Sequence, residues 1–140
     1  MINPGTKLDK NTIQRIEESF DRIYDEVGFD ELHYVNNKFP RVHEALCENS
    51  DWTQDIVDIV KIMLETTEWK GNLSEINKIV LTCAFYLCKP DDVIPDTTPG
   101  IGLVDDAYVV NLSLKRIKKT QKGSLFCDII EQQFKLLRSQ

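Results

Sequence analysis

Five aspartates, Asp91, Asp92, Asp96, Asp105 and Asp106, fall within sixteen residues of one another. Carboxylates crowded this closely repel unless neutralised, and Mg²⁺, Mn²⁺ or Ca²⁺ takes oxygen ligands of this kind. Asp92, Asp96, Asp105 and Asp106 are the candidate ligand set, and metal-assisted hydrolysis, for instance of phosphate esters, is the chemistry they would support. A structural reading competes with it and needs no cofactor. Asp105 and Asp106 open a predicted helix, where free N–H groups and the positive dipole end favour a carboxylate and oppose a cation. Asp92 and Asp96 sit where side-chain oxygens commonly close turns onto nearby backbone N–H groups. The spacing is not that of an EF-hand.

The aspartates share their segment with Pro90, Pro95, Pro99, Gly100 and Gly102. Each proline fixes its own φ and restricts the residue before it, so the path from Lys89 to Gly100 has few conformations open to it. Gly100 and Gly102 permit positive φ or close backbone approach where the chain turns into the next helix. Val93 and Ile94 are the apolar anchors expected to hold this stiff loop against its flanks.

Other groups with chemical potential are more scattered. Lys115, Arg116, Lys118, Lys119 and Lys122 gather near the end of a predicted helix. Favourable interaction with the helix dipole accounts for them, and binding of an anionic partner, nucleic acid or a lipid headgroup, is the sharper alternative. His33 and His43 lie near Asp30, Glu31 and Glu44, and would have to converge across Phe39-Pro40 to ligate a metal. The four cysteines form no CxxC pair and read as reduced, buried thiols. No P-loop, GxSxG or HExxH is present.

At 140 residues, 41% hydrophobic and 29% charged, the chain is expected to fold as one domain over residues 1–140 without disulfides or metal staples. A net charge of −6 opposes wholesale binding to nucleic acid. The longest uncharged run, from Ile79 to Cys88, has ten residues, too few to cross a bilayer. The first ten residues do not resemble a secretory signal, so the expected location is the cytoplasm.

The elements that must position these groups are helical. Residues 1 to 8 read as a loose lead-in broken by Pro4 and Gly5. Ile13, Ile16, Phe20, Ile23 and Val27 then form one stripe, with Asn11 and Gln14 in capping-box spacing and Gly28 as the stop. Two short helices divided at Phe39-Pro40 are expected next, because proline disfavours helical geometry in its predecessor. Asp51 and Gln54 cap a helix carrying Ile56, Val57, Val60, Met63 and Leu64, and Trp52 and Trp69 read as core or core-rim aromatics. After a turn at Lys70-Gly71-Asn72, the pair Asn72 and Glu75 caps a helix that is apolar around nearly its whole circumference from Ile79, the mark of an enclosed central element. Beyond the loop, Leu103, Ala107, Val110, Leu114 and Ile117 make a further stripe. A final helix, capped by Ser124, turns Phe126, Ile129, Ile130, Phe134 and Leu137 toward the core.

The order of an apolar helix with Tyr86, then Pro90-Asp91-Asp92-Val93-Ile94-Pro95-Asp96, a short spacer, then Gly102-Leu103-Val104-Asp105-Asp106 and a second apolar helix resembles the signature of the YkvA-like family, a bacterial domain of unknown function, over about residues 78–115. The resemblance implies an all-helical module built around the loop, and no established activity. Some relatives of that kind carry transmembrane segments, which this sequence does not show.

The expectation is therefore an all-α, single-domain bundle of six or seven helices around a buried central helix, with the Pro/Asp/Gly-rich loop before the penultimate one. The expected role is a small soluble adaptor or regulatory module, more a binding protein than an enzyme, whose partner is another protein or a second copy of itself. Divalent-metal hydrolysis at the aspartates and anion binding at residues 115–122 are the alternatives.

Overall fold

The computed structural model describes residues 2–47, 51–89 and 103–140. They form six helices and no strand: α1 (Lys10–Glu26), α2 (Phe29–Leu46), α3 (Trp52–Thr66), α4 (Glu75–Cys88), α5 (Val104–Lys118) and α6 (Gly123–Arg138). The all-α bundle expected from the sequence is the observed architecture. α4 is its axis and packs against α1, α2, α3 and α5, while α6 lies across α3 and α5. Ile79, Val80, Leu81, Cys83, Ala84, Tyr86, Leu87 and Cys88 of α4 are all buried, as a helix apolar on every side requires.

Three caps differ from those expected. Asp9, not Asn11, starts α1, its carboxylate accepting the Thr12 N–H at 2.7 Å. That bond holds the Asp9 carboxyl below its ordinary range. Ser74, not Asn72, starts α4, its hydroxyl accepting the Asn77 N–H at 3.1 Å. α6 begins at Gly123 behind Lys122, one residue before Ser124. Asp9 and Ser74 each sit in extended geometry three places before a free N–H, with another candidate two residues away, whereas Lys122 is left-handed and makes no side-chain cap bond. Asp51 caps α3 as expected, accepting the Thr53 N–H at 2.9 Å. Gly71 takes φ +65° in the anticipated turn.

Pro40 does not divide the second segment. α2 runs unbroken from Phe29 to Leu46 with the proline inside it. The carbonyl that loses its donor belongs to Asn36; both residues are exposed, so water can satisfy it while Leu32, Val35 and Phe39 stay buried on the opposite side. Gly28 follows α1 as expected but serves α2, donating its N–H to Glu31 Oε1 at 2.9 Å.

The lead-in is not wholly loose. Ile2 is buried and joined twice to Asn111 of α5, its N–H donating to Oδ1 at 3.0 Å and its carbonyl accepting from Nδ2 at 2.8 Å. Trp69 sits at the core rim as anticipated, and its indole N–H donates to the Leu64 carbonyl at 3.2 Å.

Candidate functional site

The first turn of α5 lies against the last two turns of α4, and there the structure puts two carboxylates inside the protein. Asp105 is 0% exposed and Asp106 1%. The Tyr86 hydroxyl, itself buried, donates to Asp105 Oδ2 at 2.9 Å. Asp106 lies close enough to the Cys83 thiol of α4 to raise its pKa, and Ser113 bonds to the same thiol from one face of α5. The positive end of the α5 dipole favours both carboxylates. Tyr86→Phe removes a donor from a buried anion, and a loss of about 2 kcal/mol is expected in urea unfolding; an unchanged midpoint would show that the bond is dispensable.

Burial pushes the Cys83 thiol from its ordinary 9.0 up to about 12, Asp106 and Cys88 adding to the rise and the Ser113 bond opposing it. The folded state therefore holds this proton more tightly than the unfolded chain. Its contribution to stability is complete below pH 9.0 and is lost as pH rises through about 12. Cys83 is expected to resist iodoacetamide at neutral pH until the chain unfolds; rapid native labelling at this position would contradict its burial.

Asp91, Asp92 and Asp96, with Pro90, Pro95, Pro99, Gly100 and Gly102, lie outside the described residues. Of the candidate ligand set, Asp105 and Asp106 are adjacent and enclosed. The histidines do not converge: His33 pairs with Asn37 on its own helix, and His43 reaches across to α3. Among the described residues no group of three His, Cys, Asp or Glu side chains gathers with metal-site geometry.

The basic stripe is divided between two tasks. Arg116 turns away toward α1, where it pairs with Asp21 and stacks 4.9 Å from the Phe20 ring centroid, so it joins two helices. Lys115, Lys118, Lys119 and Lys122 remain exposed. Lys115 and Lys118 line a shallow groove whose other bank carries Asp128 and Glu131 of α6. An anion entering it would meet acids as well as lysines.

Two features escaped the sequence reading. The first is a polar junction of α2, α3 and α6. Asp58, whose side chain is 6% exposed, accepts from Arg138 Nη2 at 2.8 Å and lies 3.1 Å from His43 Nε2. Asp55 Oδ1 shares that Nη2 with Asp58 and also accepts from Arg138 Nε at 3.1 Å. Burial works against the Arg138 charge, but the bonds to Asp55 and Asp58 outweigh it and hold its pKa above the usual value. An acid enclosed in the run Ile56-Val57-Asp58-Ile59-Val60 was the available signal. The second is the outer face of α6. Of the five residues expected to turn inward only Ile130 is fully buried; Phe126 and Phe134 are half-buried, and Ile129 and Leu137 are exposed. Leu125 at 63% and Leu136 at 52% join them at the surface.

No helix of the described residues is long and apolar enough to cross a membrane. Residues 78–112 match a family model described as a protein of unknown function, DUF1232. The match covers a quarter of the chain, from the second turn of α4 into α5, and brackets the buried aspartates. No curated protein and no solved structure matches the chain.

Proposed function

We propose that the chain is a helical adaptor or regulatory module that acts through protein contacts, with α4, α5 and the loop between them as its scaffold and α6 as its contact element. The YkvA-like resemblance is the finer reading of the match over the scaffold and implies no established activity. One observation carries the proposal: of the six exposed large apolar side chains among the described residues, four, Leu125, Ile129, Leu136 and Leu137, stand on a single helix. Water-facing leucines in this number favour an interface over a solvated surface.

Capture of partners by the immobilised intact chain, compared with its Leu125→Glu variant, tests the assignment. A protein retained by the wild type and released by the variant supports it. Equal retention by both, or robust turnover of a small-molecule substrate with no partner at all, overturns it.

The buried pair Asp105 and Asp106 favours a second reading. Two adjacent buried carboxyl groups are oxygen donors of the kind a hard divalent cation takes, and such an ion would serve hydrolysis of a phosphate ester. Calorimetric titration of the intact chain with Mg²⁺, Mn²⁺ and Ca²⁺ decides it; no heat with any of the three removes the hydrolase.

A further inference from the structure

Three of the four exposed apolar residues of α6 share one face, while Leu137 lies about 110° around the helix from it, beside Ile130. At 100° per residue, Leu125, Ile129, Gln132 and Leu136 fall within about 60° of one another around the helix, spaced four, three and four. That spacing is the seam of a two-helix coiled coil. Ile130, the buried residue of the same helix, points about 120° away from the seam, so α6 faces the core and the solvent with two separate apolar stripes. One edge of the outer stripe carries Asp128 and Lys135, seven residues and roughly 10 Å apart along the axis. Neither makes an ion pair among the described residues.

From this pattern we infer that the occupant of the outer face is a second copy of the chain, with the two α6 helices antiparallel about a two-fold axis that passes between Ile129 and Gln132. The inference rests on α6 being a contact surface and names what covers it. In that register Leu125 of each copy lies opposite Leu136 of the other, and Ile129 opposite Gln132. The same edge of the seam brings Asp128 of each copy to Lys135 of the other, so opposite charges meet twice. A parallel pair would set Asp128 against Gln133 instead and forgo both attractions. The contact is isologous and closes on two copies, so it yields a dimer and not a filament.

Sedimentation equilibrium of the full chain across a wide concentration range tests this. The mass is expected to rise from one chain to two. Ile129→Glu is expected to weaken association by at least about tenfold, since it places a charge in the seam. Asp128→Lys and Lys135→Asp each set like charges together and are each expected to weaken it by about tenfold. Mixed in equal amounts, these two variants restore both attractions and are expected to associate as tightly as the wild type. Circular dichroism checks that each surface variant remains folded. A single-chain mass at every concentration, self-association indifferent to Ile129→Glu, or a mixture no tighter than its components overturns the inference. If the chain is monomeric while Leu125→Glu still releases a captured protein, the second copy is wrong and the adaptor assignment survives. If neither association nor capture responds to changes on α6, both fall.

Discussion

Gly123→Ala is expected to destabilise the protein by about 3 kcal/mol, a fall of roughly 10 °C in the thermal midpoint for a chain of this size. An added Cβ would sit 1.6 Å from the Ile117 carbonyl oxygen and 2.6 Å from Thr120 Oγ1. That carbonyl cannot retreat easily, because it accepts the Thr120 N–H at 2.9 Å and the Thr120 hydroxyl at 2.7 Å at the end of α5. The clash is therefore backbone against side chain, with the α5–α6 junction as the part that must open. Lys122, immediately before it, is the internal control. It takes φ +66°, where a side chain is strained, so Lys122→Gly is expected to be neutral or to gain up to about 1 kcal/mol. In differential scanning calorimetry the midpoint should fall for Gly123→Ala and hold or rise for Lys122→Gly. An alanine at 123 that melts with the wild type would mean the junction is looser than the structure shows.

Asp58→Ala carries the second large effect, a loss of about 2 kcal/mol, because it removes the enclosed member of the junction, leaving His43 without its partner and Arg138 with Asp55 alone. The value is below that of a fully enclosed pair, since the Arg138 and His43 side chains, 34% and 23% exposed, can still find water. Arg138→Ala should cost at least as much, since it leaves the enclosed Asp58 without its guanidinium, and the Asp58–Arg138 double-mutant cycle should return a coupling of about 1 kcal/mol. Hydrogen exchange in the last turn of α6 should quicken in either single variant, because Arg138 is the clasp that holds that turn to α3. Additive single effects would show that the two side chains are merely neighbours.

The helical register was largely legible. The stripe Ile16, Phe20 and Ile23 is buried as its spacing requires, and the enclosure of α4 follows from a ten-residue run without a charge. Pro40 misled because the rule against proline in a helix assumes that the carbonyl it strands has no other partner. At an exposed turn it has water, and the helix continues. The caps at Asp9 and Ser74 were missed by two residues, since Asn11 and Asn72 offer the same chemistry nearby, and α6 starts behind Lys122, which makes no side-chain cap bond at all.

The candidate site was legible in part. Asp105 and Asp106 were picked out by their crowding, but their burial against Tyr86 and Cys83 depends on how α4 and α5 lie together, which no spacing along one helix encodes. Arg116 was grouped with four lysines on charge alone; its distinct role follows from α1 bringing Asp21 and Phe20 within reach.

What the sequence determined by itself was local: which stretches are helical, that Ile79 to Cys88 must be surrounded, and that acids and prolines concentrate between α4 and α5. The tertiary structure alone decided which polar groups go inside and which apolar ones stay out. Periodicity marks a face as fit for burial, whereas burial requires a neighbour to cover it. Asp58 found two partners at a three-helix junction and was enclosed; Leu125 and Leu136 have no helix over them among the described residues and stand at the surface.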